Sequence, residues 1–139
     1  MTNIYDTYLE AEVLGADPIK LVHMLYRGAA EAVSAARRHL AAREIRERSR
    51  QITKAWEILF ELSNSLDHNQ GGDLSRRLSD LYAYMQRRLL EANQQQSDAP
   101  LAEVESLLAT LSEAWATADF PKPAPVSVEA DYEPLSCVY

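Results

Sequence analysis

The sequence predicts an all-α fold, an antiparallel four-helix bundle with an N-terminal arm and an irregular C-terminal tail. Proline is absent from residues 19–99 and 101–120, and helix interiors exclude proline because its ring removes an amide donor and clashes with the preceding turn. Within these intervals apolar residues recur at the spacing of a helix face. Long helices joined by short loops pack antiparallel by default. The chain has 139 residues, 47% hydrophobic and 25% charged, which suits one globular domain.

The first helix is predicted to begin at Asp17-Pro18, because aspartate is a good N-cap and proline suits the first helical position. On a helical wheel its polar side chains share one narrow arc. They are Lys20, His23, Arg27, Glu31, Ser34 and Arg38. Apolar residues cover the rest of the circumference, so we expect this helix to be enclosed on most sides and to form the centre of the bundle.

The second helix is predicted to run from about Glu44 to Asp67. Its apolar stripe comprises Ile45, Ile52, Ala55, Trp56, Leu59, Leu62 and Leu66. A turn is predicted at residues 68–72, where Gly71 and Gly72 can supply the positive φ of a helix C-cap. This turn separates the second helix from the third.

Asp73 is predicted to cap the third helix, and the fourth begins at Asp98 or Pro100 and runs to about Asp119. The third stripe comprises Leu74, Leu78, Leu81, Tyr82, Met85 and Leu89, and the fourth comprises Leu101, Val104, Leu107, Leu108, Leu111 and Trp115. From these stripes we expect Leu25, Trp56, Met85 and Leu108 to be interior. The predicted divisions are an arm at residues 1–16, a bundle at 17–119 and an acidic tail with four prolines at 120–139.

Charge and cysteine content exclude several classes of protein. The formal charge is −7, from 14 basic against 21 acidic residues, and phosphate binding needs a basic surface, so nucleic acid is not expected as a partner. The single cysteine, Cys137, cannot form an intramolecular disulfide. No apolar run approaches the roughly 20 residues that span a bilayer, and the N-terminus does not resemble a signal peptide. We therefore expect a cytoplasmic protein with no integral membrane segment.

The side chains needed for catalysis are not found in a recognisable pattern. None of His23, His39 and His68 has an acidic residue three positions before it, as di-metal bundles require. There is no glycine-rich phosphate loop and no zinc-like spacing of cysteine and histidine. We expect no cofactor, no metal and no enzymatic activity.

A basic stretch joins the first two helices. It comprises Arg37, Arg38, Arg43, Arg46, Arg48, Arg50 and Lys54, with Glu44 and Glu47 among them. A charge run of this kind is commonly a solvated corner between helices. The alternative is a docking patch for an acidic segment, which could belong to the chain's own arm or to a partner.

The second and third helices carry more apolar residues than one buried face requires. Ile58 and Phe60 flank the stripe of the second helix, and Leu90 lies outside the stripe of the third. Such a surplus faces outward or is covered by another segment. One cover is the arm, with the apolar residues Ile4, Tyr5, Tyr8, Leu9, Val13 and Leu14. The other is an apolar helix of a partner, and both hold if the arm is a removable lid.

Several segments resemble the FliS family of flagellin export chaperones. The most specific is Leu81-Tyr82-Ala83-Tyr84-Met85-Gln86-Arg87-Arg88-Leu89-Leu90-Glu91-Ala92-Asn93, which is similar to the third-helix signature of that family. Weaker similarities are carried by Met24–Gly28, Glu103–Leu108, Glu113–Trp115 and the aromatic pair Tyr5 and Tyr8. Arg27 departs from the family, which often has an acidic residue there, and the tail is longer and richer in proline.

The resemblance implies a bundle that binds the C-terminal segment of newly made flagellin, prevents its premature polymerisation and delivers it to the flagellar type III export apparatus. It also implies contacts with the export gate and, in some bacteria, with a regulator of flagellar genes. Combining the resemblance with the apolar surplus, we predict a partner-binding surface. It comprises Ile4, Tyr5, Tyr8, Ile52, Ile58, Leu59, Phe60, Leu81, Tyr84, Leu89 and Leu107.

Two other functions stay open on the sequence alone. A helical signalling module would use an exposed histidine, for which His23 is the candidate, and an adaptor would use the bundle to associate with itself or with other proteins. We expect the chain to be a monomer or a weak homodimer.

Overall fold

The computed structural model describes residues 18–117, which form four helices. They are α1 (Pro18–Ala41), α2 (Ile45–Asn64), α3 (His68–Gln95) and α4 (Asp98–Thr117). The arm with Ile4, Tyr5 and Tyr8 and the tail at 120–139 lie outside the described residues. The predicted all-α four-helix fold is confirmed.

The helices pack in a ring in which each contacts the next along the chain and α4 returns to α1. Neighbours are antiparallel, as contacts near opposite ends show. Arg37, near the end of α1, reaches Asp98 at the start of α4, and Arg48, near the start of α2, reaches Asn93 near the end of α3. Two short connections with left-handed residues, Arg43 (φ 62°) and Gln96 (φ 52°), reverse the chain after α1 and α3.

The core lies along the axis of the ring. The prediction that Leu25, Met85 and Leu108 are interior is confirmed, since their exposed fractions are 4%, 0% and 0%. On α1 the alanines at positions 29, 32 and 36 are also buried. Small side chains allow a neighbouring helix to approach closely, and α1 and α2 share the most extensive helix contact among the described residues.

A buried polar cluster joins three of the helices inside this core. The Trp115 indole Nε1 donates a hydrogen bond to Tyr26 Oη (3.0 Å), and the hydroxyls of Tyr26 and Tyr82 lie 2.6 Å apart. Both tyrosines are fully buried. Burial raises the pKa of Tyr26, so its hydroxyl stays neutral. Because α1, α3 and α4 must be in one register to make these bonds, the cluster favours a single packing arrangement.

The junction of α2 and α3 differs from the prediction. The second helix ends at Asn64 rather than Asp67, and the third begins at His68, within the predicted turn, rather than at Asp73. The Asp67 carboxylate accepts the backbone N–H of Asn69 (2.9 Å), which stabilises the start of that turn. Gly72 then breaks the helix with φ 55° and ψ −127°, a conformation that residues with a side chain rarely adopt.

Three stripe residues are more exposed than predicted. Ile45 is the first residue of α2 and Leu74 follows the break at Gly72, and they are 57% and 48% exposed. Trp56 is half-buried rather than interior. It lies on the flank of α2 that faces α3, where the indole covers the edge of the core and remains open on its outer side.

Candidate protein-binding surface

Apolar side chains remain exposed on the side of the bundle between α2 and α3. Phe60 is 49% exposed and Leu90 is 51% exposed. The Phe60 ring stacks on Trp56, with ring centroids 5.7 Å apart and planes within 9° of parallel. Gln86 donates to the Trp56 carbonyl oxygen (3.2 Å), and Leu90 lies one turn beyond Gln86 on the same side of α3. We call Trp56, Phe60 and Leu90 the α2–α3 strip.

A second apolar area follows the other flank of α3, where it meets α4. Leu81, Tyr84 and Leu107 are half-buried and pack against the core with part of each side chain outward. Tyr84 Oη donates to Glu103 Oε2 (2.7 Å), and Glu103 lies one turn before Leu107 on α4. We call Leu81, Tyr84 and Leu107 the α3–α4 strip.

Charged side chains border the α3–α4 strip and hold its two helices together. Arg88 donates from Nε to Glu103 Oε1 (2.6 Å) and from Nη1 to Glu91 Oε1 (2.7 Å). The hydrogen bonds from Tyr84 and Arg88 lower the pKa of Glu103, and the same bond to Glu103 raises the pKa of Tyr84. At neutral pH the carboxylate is therefore charged and the phenol protonated, which keeps the donor and acceptor roles fixed.

Four of the predicted partner-binding residues are buried and line no open surface. Ile52, Ile58, Leu59 and Leu89 have exposed fractions of 1%, 0%, 0% and 0%. The expectation that they form an exposed groove is corrected, because α1 packs closely along the flank of α2 that carries Ile58. A partner could contact these four side chains only if the bundle opened.

The structure divides the remaining described residues of the predicted surface between the two strips. Phe60 belongs to the α2–α3 strip, whereas Leu81, Tyr84 and Leu107 form the α3–α4 strip, so they line opposite flanks of α3 rather than one groove. Sequence reasoning omitted Trp56 and Leu90 from the site. Leu90 had a usable signal, since it lies outside the stripe of its helix, but Trp56 lies within the stripe and gave none.

Two residues of the basic stretch that joins the first two helices bind residues of other helices. Arg37 binds Asp98 through two hydrogen bonds of 2.8 Å and Glu105 through one of 2.6 Å, which lowers the pKa of Asp98. Arg48 is 5% exposed and donates to Asn93 Oδ1 (3.0 Å) near the C-terminal end of α3, where a cation is favourable. The residues of the stretch that are exposed are Arg38, Arg43, Arg46 and Arg50.

The described residues show no arrangement suited to chemistry on a metal. Residues 18–117 contain no group of three or more histidine, cysteine or acidic side chains placed to hold an ion. His39 Nδ1 lies 2.6 Å from Glu44 Oε1, a contact that connects the end of α1 to the start of α2. None of the four described helices has the length and apolarity to cross a membrane.

Comparisons with known proteins give one consistent result. A family model described as "Flagellar protein FliS" matches residues 1–122. The flagellar secretion chaperone FliS of Salmonella typhimurium is 38% identical over 108 residues, covering 77% of this chain and 80% of that protein. The flagellar secretion chaperone FliSB of Pseudomonas aeruginosa is 36% identical over 77% of this chain and 85% of its own length. FliS of Bacillus subtilis is 32% identical over 81% and 84%.

Proposed function

The chain belongs to the FliS family, and from that premise we propose that it is a cytoplasmic export chaperone for flagellin. In this function it binds the C-terminal segment of flagellin, prevents premature polymerisation and delivers the subunit to the flagellar type III export apparatus. The observation that carries the proposal is the family match together with apolar surface left open on both flanks of α3.

The two strips suit a client that folds as it binds. Each strip alone is a narrow row of side chains, and they face different directions around α3. A rigid partner would meet only one of them, whereas a disordered segment can wrap the bundle and cover both. An apolar helix seated on a row of this kind is one known mode of peptide recognition. The cost of ordering the client keeps the complex reversible, which handover to an export machine requires.

Phe60 is the proposed anchor of the client on the α2–α3 strip. Its ring is half exposed and already held in place by the stack on Trp56. Little side-chain freedom is therefore lost when a partner covers it, and pre-ordered aromatic residues commonly dominate binding energy. On the α3–α4 strip, Glu103 and Arg88 supply a polar border that can fix the register of the client.

The proposal also includes the N-terminal arm, the oligomeric state and further partners. Ile4, Tyr5 and Tyr8 of the arm contribute to client binding or cover the same surface when no client is present. The bundle acts by protein contact alone, as a monomer or weak homodimer without a cofactor. After capture of flagellin we propose that it contacts the export gate and a regulator of flagellar genes, as the family resemblance suggests.

The test is a pair of matched substitutions on α2. Phe60→Asp should weaken binding of a peptide comprising the flagellin C-terminal segment by about 30-fold, because it removes roughly 2 kcal/mol at an aromatic anchor. Ile45→Asp is the control, since Ile45 is even more exposed and lies outside both strips. Affinities are measured by isothermal titration calorimetry, and helical circular dichroism confirms that both variants are folded. Equal affinities for the two variants would contradict the proposed site, and no binding by the unaltered chain would contradict the function.

A further inference from the structure

The stacked aromatic pair of the α2–α3 strip, half-buried Trp56 and exposed Phe60, lies near the end of the bundle from which the chain continues beyond α4. Phe60 is one turn before the end of α2 at Asn64. The last residue of α4, Thr117, is at that same end, because the Trp115 indole bonds Tyr26 in the first half of α1 and α1 runs antiparallel to α2. We infer that the chain's own residues 118–139 dock along the α2–α3 strip and follow α2 toward its N-terminus.

The length of this segment is sufficient for that path. An extended or polyproline II chain advances about 3.1 Å per residue, so residues 118–133 can span about 50 Å. A helix of the length of α2 is about 30 Å long at 1.5 Å per residue. The segment can therefore cross the end of the bundle and still reach the first turn of α2.

The composition of the segment matches an aromatic binding face. Pro121, Pro123 and Pro125 alternate along it, a pattern that favours the polyproline II conformation. Such a chain needs no ladder of backbone hydrogen bonds, and a surface formed by two helices has no free backbone groups to provide one. Proline-rich segments are recognised by exposed aromatic side chains, and the stacked rings of Trp56 and Phe60 present such a surface.

Charges occur in complementary order along the segment and along α2. Beyond Asp119, the part of the segment that begins at Pro121 carries Lys122 first and acidic residues afterwards, at positions 129, 131 and 133. From Phe60 toward its N-terminus, α2 presents exposed Glu57 first and then exposed Arg50 and Arg46. From Pro121 onward the order is thus positive then negative in the segment, and from Phe60 it is negative then positive on the helix.

The distances between the aromatic contact and the charged residues also agree between the segment and α2 when Pro123 is placed over Phe60. In polyproline II geometry Glu129 lies about 19 Å from Pro123, and Arg50 lies about 15 Å from Phe60 along the helix. Arg50 has a partner in Glu47 at 3.2 Å, but both side chains are exposed. An exposed ion pair of this kind contributes little, so Arg50 can exchange or share it.

The N-terminal arm fits this strip less well than the C-terminal segment. Residues 1–17 contain no proline and no lysine or arginine, and their charged side chains are all acidic. They offer nothing to pair with Glu57 and no preformed extended chain for the aromatic rings. The arm and a second copy of the chain are therefore alternative occupants that the experiment must distinguish.

The test attaches a nitroxide label to the segment in the full chain, without any client. A cysteine is introduced as Ala124→Cys, and the natural one is removed as Cys137→Ser. The label should broaden the amide signals of Thr53, Trp56 and Phe60 several-fold more than that of Leu74, which is also near this end but on the other flank of α3. Equal broadening at Phe60 and Leu74 would mean that the segment does not dock here.

Matched variants show whether the strip itself is responsible. Phe60→Ser, or Leu90→Ser on the opposite helix, should remove the selective broadening, whereas Leu74→Ser should retain it because Leu74 has nearly the same exposure as Phe60 but lies outside the strip. Broadening that persists in both strip variants overturns the inference. A mixed sample gives the second control: one chain is isotopically enriched and carries no nitroxide, and the other carries the nitroxide. Broadening of the enriched chain would assign the contact to a second copy and would also overturn the inference. Since no flagellin is present, failure here leaves the proposed function unaffected.

Discussion

Two sides of this bundle differ in the kind of side chains at their surface. Where α1 meets α4, Arg37 connects the helices through Asp98 and Glu105, and in the other half of the bundle the buried pair Tyr26 and Trp115 connects the same two helices. On the flanks of α3, apolar side chains remain open instead. All the large hydrophobic residues that are strongly exposed among residues 18–117 belong to α2 or α3. Polar contacts therefore join α1 to α4, and the proposed binding surface lies on the flanks of α3.

This division predicts that substitutions on the two sides affect different measurements. A change in the scaffold should lower the free energy of unfolding and affect binding only indirectly. A change in an exposed strip should lower affinity and leave stability nearly unchanged. The following variants test that separation.

The largest effect is expected at Leu25 on α1. Leu25→Ala should lower the free energy of unfolding by about 2–5 kcal/mol, because it leaves a cavity in a closely packed interior. Leu90→Ala is the matched control, since the same side chain is lost from a position that is half exposed, and it should change stability by about 0.5 kcal/mol or less. Urea denaturation followed by circular dichroism measures both. Equal losses would show that the distinction between scaffold and strip is wrong.

A smaller effect is expected from the buried hydroxyl of Tyr26. Tyr26→Phe removes the hydrogen bonds of this hydroxyl to Tyr82 and Trp115, and at a buried site their loss should cost about 1–3 kcal/mol. Tyr84→Phe removes one bond at the half-exposed α3–α4 strip and should cost less. Thermal melting of the two variants ranks them, and a larger loss in Tyr84→Phe would reverse the assignment of scaffold and surface.

The smallest effect, at Arg37, should depend on pH. The bond from Arg37 lowers the pKa of Asp98 below its ordinary value of 3.8. A carboxyl with a lowered pKa in the folded protein stabilises it above its unfolded pKa, and that stabilisation is lost as pH falls through the folded pKa. Arg37→Ala should therefore lower the melting temperature at pH 7, and the difference from the unaltered chain should shrink as pH falls through the lowered pKa of Asp98.

The neighbouring Arg38 provides the control for that experiment. Arg38 donates a 3.3 Å hydrogen bond to Ser34 on the same helix, so Arg38→Ala should change the melting temperature little at either pH. Because the Arg37 pairs are partly exposed, their contribution should be about 1 kcal/mol or less. A difference between Arg37→Ala and the unaltered chain that persists at low pH would assign the effect to packing rather than charge.

The existence and order of the helices followed from local rules. Pro18 and Pro100 each lie in the first turn of a helix, and Gly72 breaks the third at a backbone conformation suited to glycine. Hydrophobic periodicity identified Leu25, Met85 and Leu108 as interior. These features are encoded within one or two helical turns, because backbone strain and face-by-face polarity depend on near neighbours in the sequence.

What the sequence by itself determined is therefore a helical bundle with more apolar surface than its core needs. Which residues carry that surface was decided by tertiary packing. Ile58 and Phe60 both flank the stripe of α2, yet Ile58 is buried and Phe60 is half exposed. The reason is that α1 covers one flank closely through its small alanines, whereas α3 leaves the outer edge of the other flank open. Arg37 and Arg38 are adjacent in the sequence, and only Arg37 points toward the carboxylates of α4. A helical wheel gives the direction of each side chain, but the neighbour in that direction exists only once the helices have packed.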